Sequence, residues 1–288
     1  MKGGYKERLI EGLMYFMKSI LFIRPMRRII IRFISKVLMR RYHEFSPWSV
    51  FIVLNRDAGA ILIDGSRCYT YAWKYYEEKL SRLFKCLLRT LGHGVFVDVG
   101  AYVGFYTVLV ARHGWRVVAF EPNPINLILL RYNIAFHGVG DRVVVVDKAA
   151  GDVHGYARFS ISSSPSESSF TKYLRNELRL LNIDVEVVTI DSILESLGIG
   201  DFENLVMKVD VEGFGLRVLR GARRSIEKYR PFILFEVHRI FDEEDEIHAL
   251  KMLKDLGYGF VIVEPRSRRN FIVYAYPREK GCLCCEQA

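Results

Sequence analysis

Asp98 and Glu121 stand 23 residues apart, and each lies at or inside an apolar run of strand length. Val95, Phe96, Val97 and Val99 surround the first, and Arg116 to Phe120 leads into the second. A carboxylate in a segment that reads as buried on both faces needs a partner, because burying an unpaired charge is costly. Between the two lies Gly100-Ala101-Tyr102-Val103-Gly104, a tight turn bracketed by glycines, and then helical periodicity over Phe105 to Arg112. Strand, turn, helix, strand is the unit of an open parallel sheet, in which ligands bind beyond the carboxyl ends of the strands. An acidic residue at the tip of the second strand is placed to accept ribose hydroxyls. The glycine spacing then selects the ligand. GxxxG lacks the middle glycine that lets a backbone approach a pyrophosphate, and Tyr102 holds that place. The loop suits a nucleoside with no phosphate and a cationic end, such as S-adenosylmethionine, with Asp98 answering the cation. A dinucleotide site and a ligand-free unit of the same shape are the competing readings.

A second set of ionisable residues follows. Asn204 to Val209 reads as another central strand and runs into Asp210-Val211-Glu212-Gly213. Lys208, Asp210 and Glu212 alternate, which in an extended chain puts all three on one side. They form either a functional cluster or a plain ion-pair network. Pro231 to Val237 is a further apolar strand, with Glu236 near its end and His238 just past it. Arg142 to Val146 is a third strand of the first half and ends in Asp147 and Lys148. Asp147 is placed either to meet an adenine amino group or to cap the next turn.

The elements that must position these residues are legible from periodicity. Val50 to Leu54 and Ala60 to Ile63 flank a turn and predict a hairpin. Trp73 to Leu91 carries Leu80, Leu83, Phe84, Leu87, Leu88 and Leu91 at helical spacing, and it would cover one side of the ligand. Pro122-Asn123-Pro124 opens a helix that runs to about His137. Tyr156 to Ile161 alternates like a strand, and Ser160 to Ser169 reads as a serine-rich mobile lid or a plain connection. Glu186 to Ile190 is a short strand, and Asp191 is expected to cap a helix over Ser192–Leu197. One helix is expected over Leu216–Tyr229 and another over Asp242–Leu256. Phe260 to Val263 and Phe271 to Tyr276 form a closing antiparallel pair.

The net charge of +9 over 288 residues is unevenly spread. Residues 1–44 hold eleven Lys/Arg and three Glu, net +8, and the remainder is close to neutral. A near-neutral body argues against a nucleic-acid groove across it. Arg24, Arg28, Arg32, Lys36 and Arg40 recur every four residues beside an apolar face of Ile30, Phe33, Ile34 and Val37. Like charges at that spacing destabilise an isolated helix, and an anionic membrane surface would relieve them. A helix packed on the body with its basic face solvated is the bland alternative. No apolar run reaches the ~18 residues of a membrane span, and no secretory signal is expected. The expected location is cytoplasmic, with peripheral attachment at the inner membrane face through the arm. Five cysteines give no disulfide framework by spacing, and Cys282-Leu283-Cys284-Cys285 reads as a frayed reduced tail, with metal binding or oxidation as alternatives. No metal site is expected. A single glutamine, Gln287, in a charge-rich chain points to a thermophilic source.

Taken in order, VFVDVGAYVGFYT, VVAFEPNP, AAGD, the Ser168-Ser169 region, VVTIDSIL, LVMKVDVEG and RPFILFEVH resemble the FkbM family of S-adenosylmethionine-dependent methyltransferases, over about residues 73–264. The resemblance implies an α/β, Rossmann-like class I methyltransferase fold with a seven-stranded, mostly parallel sheet in the order 3-2-1-4-5-7-6. It implies that Asp98, Gly100 and Gly104 hold the methionine end of the cofactor and Glu121 the ribose. Ala101, Tyr102, Pro122, Asn123, Asp147 and Lys148 complete the expected cofactor set. Lys208, Asp210, Glu212 and Gly213 would face cofactor and acceptor. The family usually carries a second glutamate where this chain has Gly215. Relatives look like O-methyltransferases of sugar or natural-product hydroxyls, so the expected acceptor is a small-molecule or glycan hydroxyl. Glu212 and His238 are the candidate bases, Asp210 the third, and Lys208 would steady the carboxylates or a developing alkoxide. An RNA methyltransferase using the basic arm, and a non-catalytic cofactor-binding protein at a membrane, are the rival readings. The expected organisation is a helical arm over 1–44, a hairpin and helix over 45–92, the methyltransferase domain over 93–277 and a cysteine-containing tail over 278–288.

Overall fold

The computed structural model describes residues 50–55, 59–64, 78–162, 169–170, 179–198, 204–238, 243–265 and 270–288. The basic arm expected over 1–44, the tip of the serine-rich segment, Cys68 and the side chain of His238 lie outside them.

The described residues open on the expected hairpin of β1 (Val50–Asn55) and β2 (Gly59–Asp64). Helix α1 (Glu78–Leu91) follows, and its leucines at helical spacing are all buried through Leu88. Then comes the predicted unit. It comprises β3 (Val95–Val99), α2 (Phe105–Ala111), β4 (Arg116–Phe120), α3 (Pro124–His137) and β5 (Val143–Val146). Asn123 caps α3 by accepting from the Ile125 N–H at 3.0 Å, and Pro124 occupies the first turn, where its missing N–H costs nothing. The second half supplies α4 (Ile190–Ser196), β10 (Leu205–Val209), α5 (Gly215–Gly221), α6 (Arg223–Tyr229), β11 (Phe232–His238), α7 (Glu243–Asp255) and the antiparallel pair β12 (Tyr258–Pro265) and β13 (Asn270–Pro277). A side sheet lies between the halves, ordered β6 (Ala149–Ala150), β9 (Arg179–Val188), β7 (Gly155–Ser162), β8 (Ser169–Phe170).

The main sheet has seven strands in the order β5-β4-β3-β10-β11-β13-β12. All neighbours are parallel except at β13, which runs antiparallel to both β11 and β12. Numbered by their place among the seven, these strands stand 3-2-1-4-5-7-6, the expected class I methyltransferase order. Strands β3 and β10 are buried at every residue because helices cover both faces. One layer packs residues of α1, α2 and α3 on Phe96, Val206 and Leu234. The other packs α4 to α7 on Val97, Met207 and Phe235.

Four local expectations change. The Leu216–Tyr229 helix is two helices, parted at Ala222, where φ is −109°. Thr189, not Asp191, caps α4, its hydroxyl accepting from the Ser192 N–H at 3.1 Å. Asp191 reaches instead to the start of α6 and accepts from the backbone N–H groups of Arg224 and Ser225 at 3.0 and 2.8 Å. The serine-rich segment is in strand at both of its ends, since Ser160 pairs with Ser169 and Phe159 with Phe170 in the side sheet. Finally, the tail is not frayed. Arg230 holds Glu279 through Nε and Nη2, Lys280 Nζ donates to the Tyr229 and Arg230 carbonyls, and Tyr274 Oη donates to Leu283 O. Cys86 on α1 pairs with Cys284, and Cys282 pairs with Cys285, with Cα separations of 6.0 and 5.6 Å. Spacing alone hid this gathering of cysteines because Cys86 lies 198 residues from Cys284.

Candidate active site

Register places the charges. Asp98 on β3 stands level with Lys208 on β10, and Lys208 with Leu234 on β11. Side chains alternate along a strand, so Asp98, Lys208 and, two residues past Leu234, Glu236 share the face that packs against α1 and α2. All three are buried, Asp98 to 1 % exposure.

Asp98 is the most constrained of them. Thr107, on the first turns of α2, donates its hydroxyl to Asp98 Oδ2 at 2.6 Å. Oδ1 is buried and accepts from no donor among the described residues. Burial pushes the carboxyl's pKa up, against the pull of Lys208 and of the Thr107 hydroxyl. An orphaned carboxylate oxygen of this kind asks for a cationic donor.

Glu121 sits at the tip of β4, where its oxygens gather three donors. Oε2 accepts from the Tyr102 N–H at 2.8 Å. Oε1 accepts from the Asn123 N–H at 2.9 Å and from Asn126 Nδ2 at 3.2 Å. A carboxylate offers about four lone-pair sites, so one remains, on Oε2. The expected grip on the ribose thus narrows to one open acceptor position, the others being spent on tying the Tyr102 turn to the start of α3. Burial raises the Glu121 pKa to about 7, and the bonds from Asn123, Tyr102 and Asn126 oppose that rise.

The Glu121 shift has a signed consequence. A carboxyl whose folded pKa lies near 7, above its ordinary 4.5, contributes stability that is full below about 4.5 and lost as pH rises through about 7. The wild-type Tm measured against that of Glu121→Gln should therefore fall progressively across this window. A flat difference between the two proteins would show that Glu121 is not held in this way.

The turn between β3 and α2 is left-handed at Gly100, Tyr102 and Gly104, with φ of 79°, 55° and 87°. The N–H groups of Gly100 and Ala101 both donate to Phe120 O at 3.0 Å, which fastens this turn to β4. The loop after β10 lies directly against it: Asp210 N–H donates to Val99 O at 3.0 Å. Lys208 Nζ donates to Asp210 Oδ2 at 2.8 Å and lies 5.3 Å from the centre of the Tyr106 ring. The expected alternation stops there. β10 ends at Val209, and Glu212 stands in a turn with φ 46°, half-buried and out of the strand's repeat. The structure thus brings Asp98, Glu121, Lys208 and Asp210 to one edge, and sets Glu212 in the loop that borders it. His238 closes β11 opposite Asn270.

Asp147 and Lys148 follow β5 at the same edge of the sheet and are more open. Asp147 pairs with Arg131 of α3 at 3.1 Å, and Lys148 with Glu186 of β9 at 2.7 Å. Asp147 caps nothing in these contacts, and its half-exposed carboxylate remains on the rim.

The model of the family described as "Methyltransferase FkbM domain" matches residues 98–260. The chain belongs to that family. It is a methyltransferase by membership, and the matched segment opens on Asp98. A curated relative, the hexuronic acid methyltransferase AglP of Haloferax volcanii, is 26% identical over 186 residues, covering 62% of this chain and 69% of that one. Among solved structures, the FkbM methyltransferase of Methylobacillus flagellatus KT is 21% identical with a TM-score of 0.46. The likeness covers 64% of this chain, which spans 44% of that protein's length. An O-methyltransferase of Bacillus cereus, in complex with SAH, is 14% identical with a TM-score of 0.43, over 68% of this chain and 80% of its own.

Three contributors to this candidate site carried no sequence signal strong enough to name them. Thr107 orients Asp98, Asn126 binds Glu121, and Tyr106 lies beside Lys208. Glu236, which the sequence places near the end of its strand, is buried at the carboxyl end of β11. Thr107 was the most findable, since it lies nine residues after Asp98 and projects back toward the strand from the helix that the turn begins.

Proposed function

We propose that this chain moves a methyl group from S-adenosylmethionine to a hydroxyl of a sugar, carried on a glycan or a glycolipid. The unsatisfied Oδ1 of buried Asp98 carries the reading, with the one open acceptor position of Glu121 on the neighbouring strand. These residues fit the cofactor: Asp98 would accept from its α-amino group and Glu121 from a ribose hydroxyl. The carbonyl of Asp210 leaves no room for a side chain at Gly100, so backbone alone lines that part of the turn. When bound, the cofactor supplies a methyl group on a sulfonium sulfur, already attached to a good leaving group.

The protein's tasks are then alignment and proton removal. Orientation can contribute roughly 7–11 kcal/mol in favourable cases. Glu212 stands in the loop bordering the cofactor turn, where it can take the proton from an acceptor hydroxyl. Lys208, tied to Asp210, holds a positive charge near the developing alkoxide and keeps that loop in place. The hexuronic acid named for the AglP relative makes a uronate-bearing glycan the first acceptor to test. The near-neutral body speaks against RNA as the substrate.

Incubation with methyl-labelled S-adenosylmethionine and separated lipid, glycan and RNA fractions tests the reading. Label is expected in uronate-containing glycan or glycolipid. Label confined to RNA would overturn the sugar assignment and leave methyl transfer intact. Glu212→Gln is expected to bind the cofactor normally and to lose about 10²–10⁴-fold in turnover, the range of a general base. Unchanged turnover would remove Glu212 from that role.

A further inference from the structure

The cysteines lie outside this site, and none of the preceding chemistry uses them. The fold gathers four of them at one place. Cys86 projects from α1, and Cys282, Cys284 and Cys285 come from the last seven residues of the chain. The Cα of Cys284 is 6.0 Å from that of Cys86, that of Cys282 is 5.6 Å from that of Cys285, and Cys284 and Cys285 are adjacent. Left-handed residues at Gly281 and Cys284 fold the tail into a knuckle that turns these thiols toward α1. Sulfurs gathered this way have two chemical fates, two disulfides or four thiolates around one thiophilic cation. In this structure the four sulfurs are paired, and no group of three or more His, Cys, Asp or Glu among the described residues is placed to hold a metal.

We propose that Cys86, Cys282, Cys284 and Cys285 are a tetrathiolate site for Zn²⁺ that fastens the carboxyl-terminal segment to α1. The surroundings on α1 are compatible with thiolates at this place. Thr90 Oγ1 lies 3.7 Å from Cys284 Sγ, in a contact where either atom could be the donor; with the sulfur as a thiolate the hydroxyl would donate, as the outer partner of a metal ligand does. Arg82, Arg89 and Thr90 stand four before, three after and four after Cys86, on the same face of α1. Positive charge on that face of the helix would oppose the −2 charge of Zn²⁺ with four thiolates. The knuckle is also held from behind, by Arg230 on Glu279 and by Tyr274 on Leu283 O, so little ordering is left for the metal to impose.

The site sits behind the catalytic edge. Phe84, two residues before Cys86, packs at 4.8 Å against Tyr106, the ring beside Lys208. The paired sulfurs become four thiols by taking four electrons from two equivalents of a small dithiol. Each thiol then gives its proton to solvent as its sulfur coordinates, so Zn²⁺ entry releases up to four protons.

The test uses the full chain, purified with a dithiol reductant and no chelator, then given Zn²⁺ and desalted. One zinc per chain is expected by elemental analysis, as for other four-cysteine sites. Replacement by Co²⁺ should give the intense visible bands and near-ultraviolet sulfur-to-metal absorption of tetrahedral thiolate coordination. Cys284→Ser should lower the metal content to background and leave S-adenosylhomocysteine binding unchanged. The cobalt spectrum of the wild-type chain answers the question even where that variant fails to fold. Reduced protein that retains no stoichiometric metal overturns the proposal, whether thiol counting then finds two disulfides or only thiols. A cobalt spectrum without sulfur absorption overturns it equally.

Discussion

Asp98→Asn should weaken binding of both S-adenosylmethionine and S-adenosylhomocysteine by about 100-fold, with no loss of folded stability. The two halves of this expectation have one cause. Asp98 is buried to 1 % exposure, and its pKa is driven up chiefly by that burial. A carboxyl whose folded pKa is raised above its unfolded value contributes stability only at low pH, and that contribution is lost as pH rises through the folded value. As the carboxyl ionises it therefore becomes a burden on the ligand-free fold. Asparagine has the same shape, can still accept from Thr107 and brings no charge. The ligand reverses the balance. Its ammonium would meet Oδ1, which has no other donor among the described residues, and a hydrogen bond between charged groups contributes about 1.5–3 kcal/mol. Asparagine offers a weaker acceptor or, with its amide turned, a donor facing a donor. Equal losses for the two ligands would locate the contact at the amino group, which both possess, rather than at the sulfonium, which only one has. Calorimetric titration of both into the variant is the measurement. Unchanged affinity would take Asp98 out of the cofactor site. Thr107→Val, which frees the carboxylate to rotate, should show the same loss in smaller measure, about 10-fold.

The fold was legible because its signals are local and strong. Val95-Phe96-Val97-Asp98-Val99 and Arg116 to Phe120 became β3 and β4 at the expected residues, since buried parallel strands announce themselves as apolar runs bounded by glycine. Asp98 and Glu121 were legible as candidate site residues for the opposite reason, being carboxylates where the pattern calls for apolar groups. What the sequence could not carry is who shares those carboxylates. Three of Glu121's lone-pair sites go to Tyr102, Asn123 and Asn126, bonds that exist only once turn and helix are in place. The alternation of Lys208, Asp210 and Glu212 misled at its last member, because a strand's repeat holds only while the strand lasts, and β10 ends at Val209, leaving Glu212 in a turn with φ 46°. Asp191 misled differently. It stands where a cap is expected, but Thr189 takes that task, and Asp191 serves a helix that begins 32 residues later. The cysteine-bearing tail is the extreme case, since nothing near Cys86 in sequence points to residues at the end of the chain.

Gly100→Ala should lower stability by at least about 3 kcal/mol and abolish measurable cofactor binding, and Gly92→Ala supplies its control. Both glycines adopt left-handed backbones, with φ of 79° and 75°. An L-residue pays roughly 1–2 kcal/mol to adopt that conformation wherever it stands. At Gly92 nothing lies within 4 Å of the added methyl group, so this strain is the whole effect. At Gly100 the methyl carbon would fall 1.9 Å from the backbone oxygen of Asp210. No side-chain rotation relieves that overlap, because the obstructing atom is main chain at the end of a central strand. The turn carrying Asp98 and the loop carrying Asp210 and Glu212 must separate, and with them the two halves of the site. For a domain of this size each kcal/mol shifts Tm by about 2–4 °C, so the two variants should melt well apart. Thermal melts of both, each with and without S-adenosylhomocysteine, decide the matter. Matching Tm losses would mean that the two loops do not approach as closely as the Gly100–Asp210 contact requires, and the acceptor-facing loop would then have to be sought elsewhere.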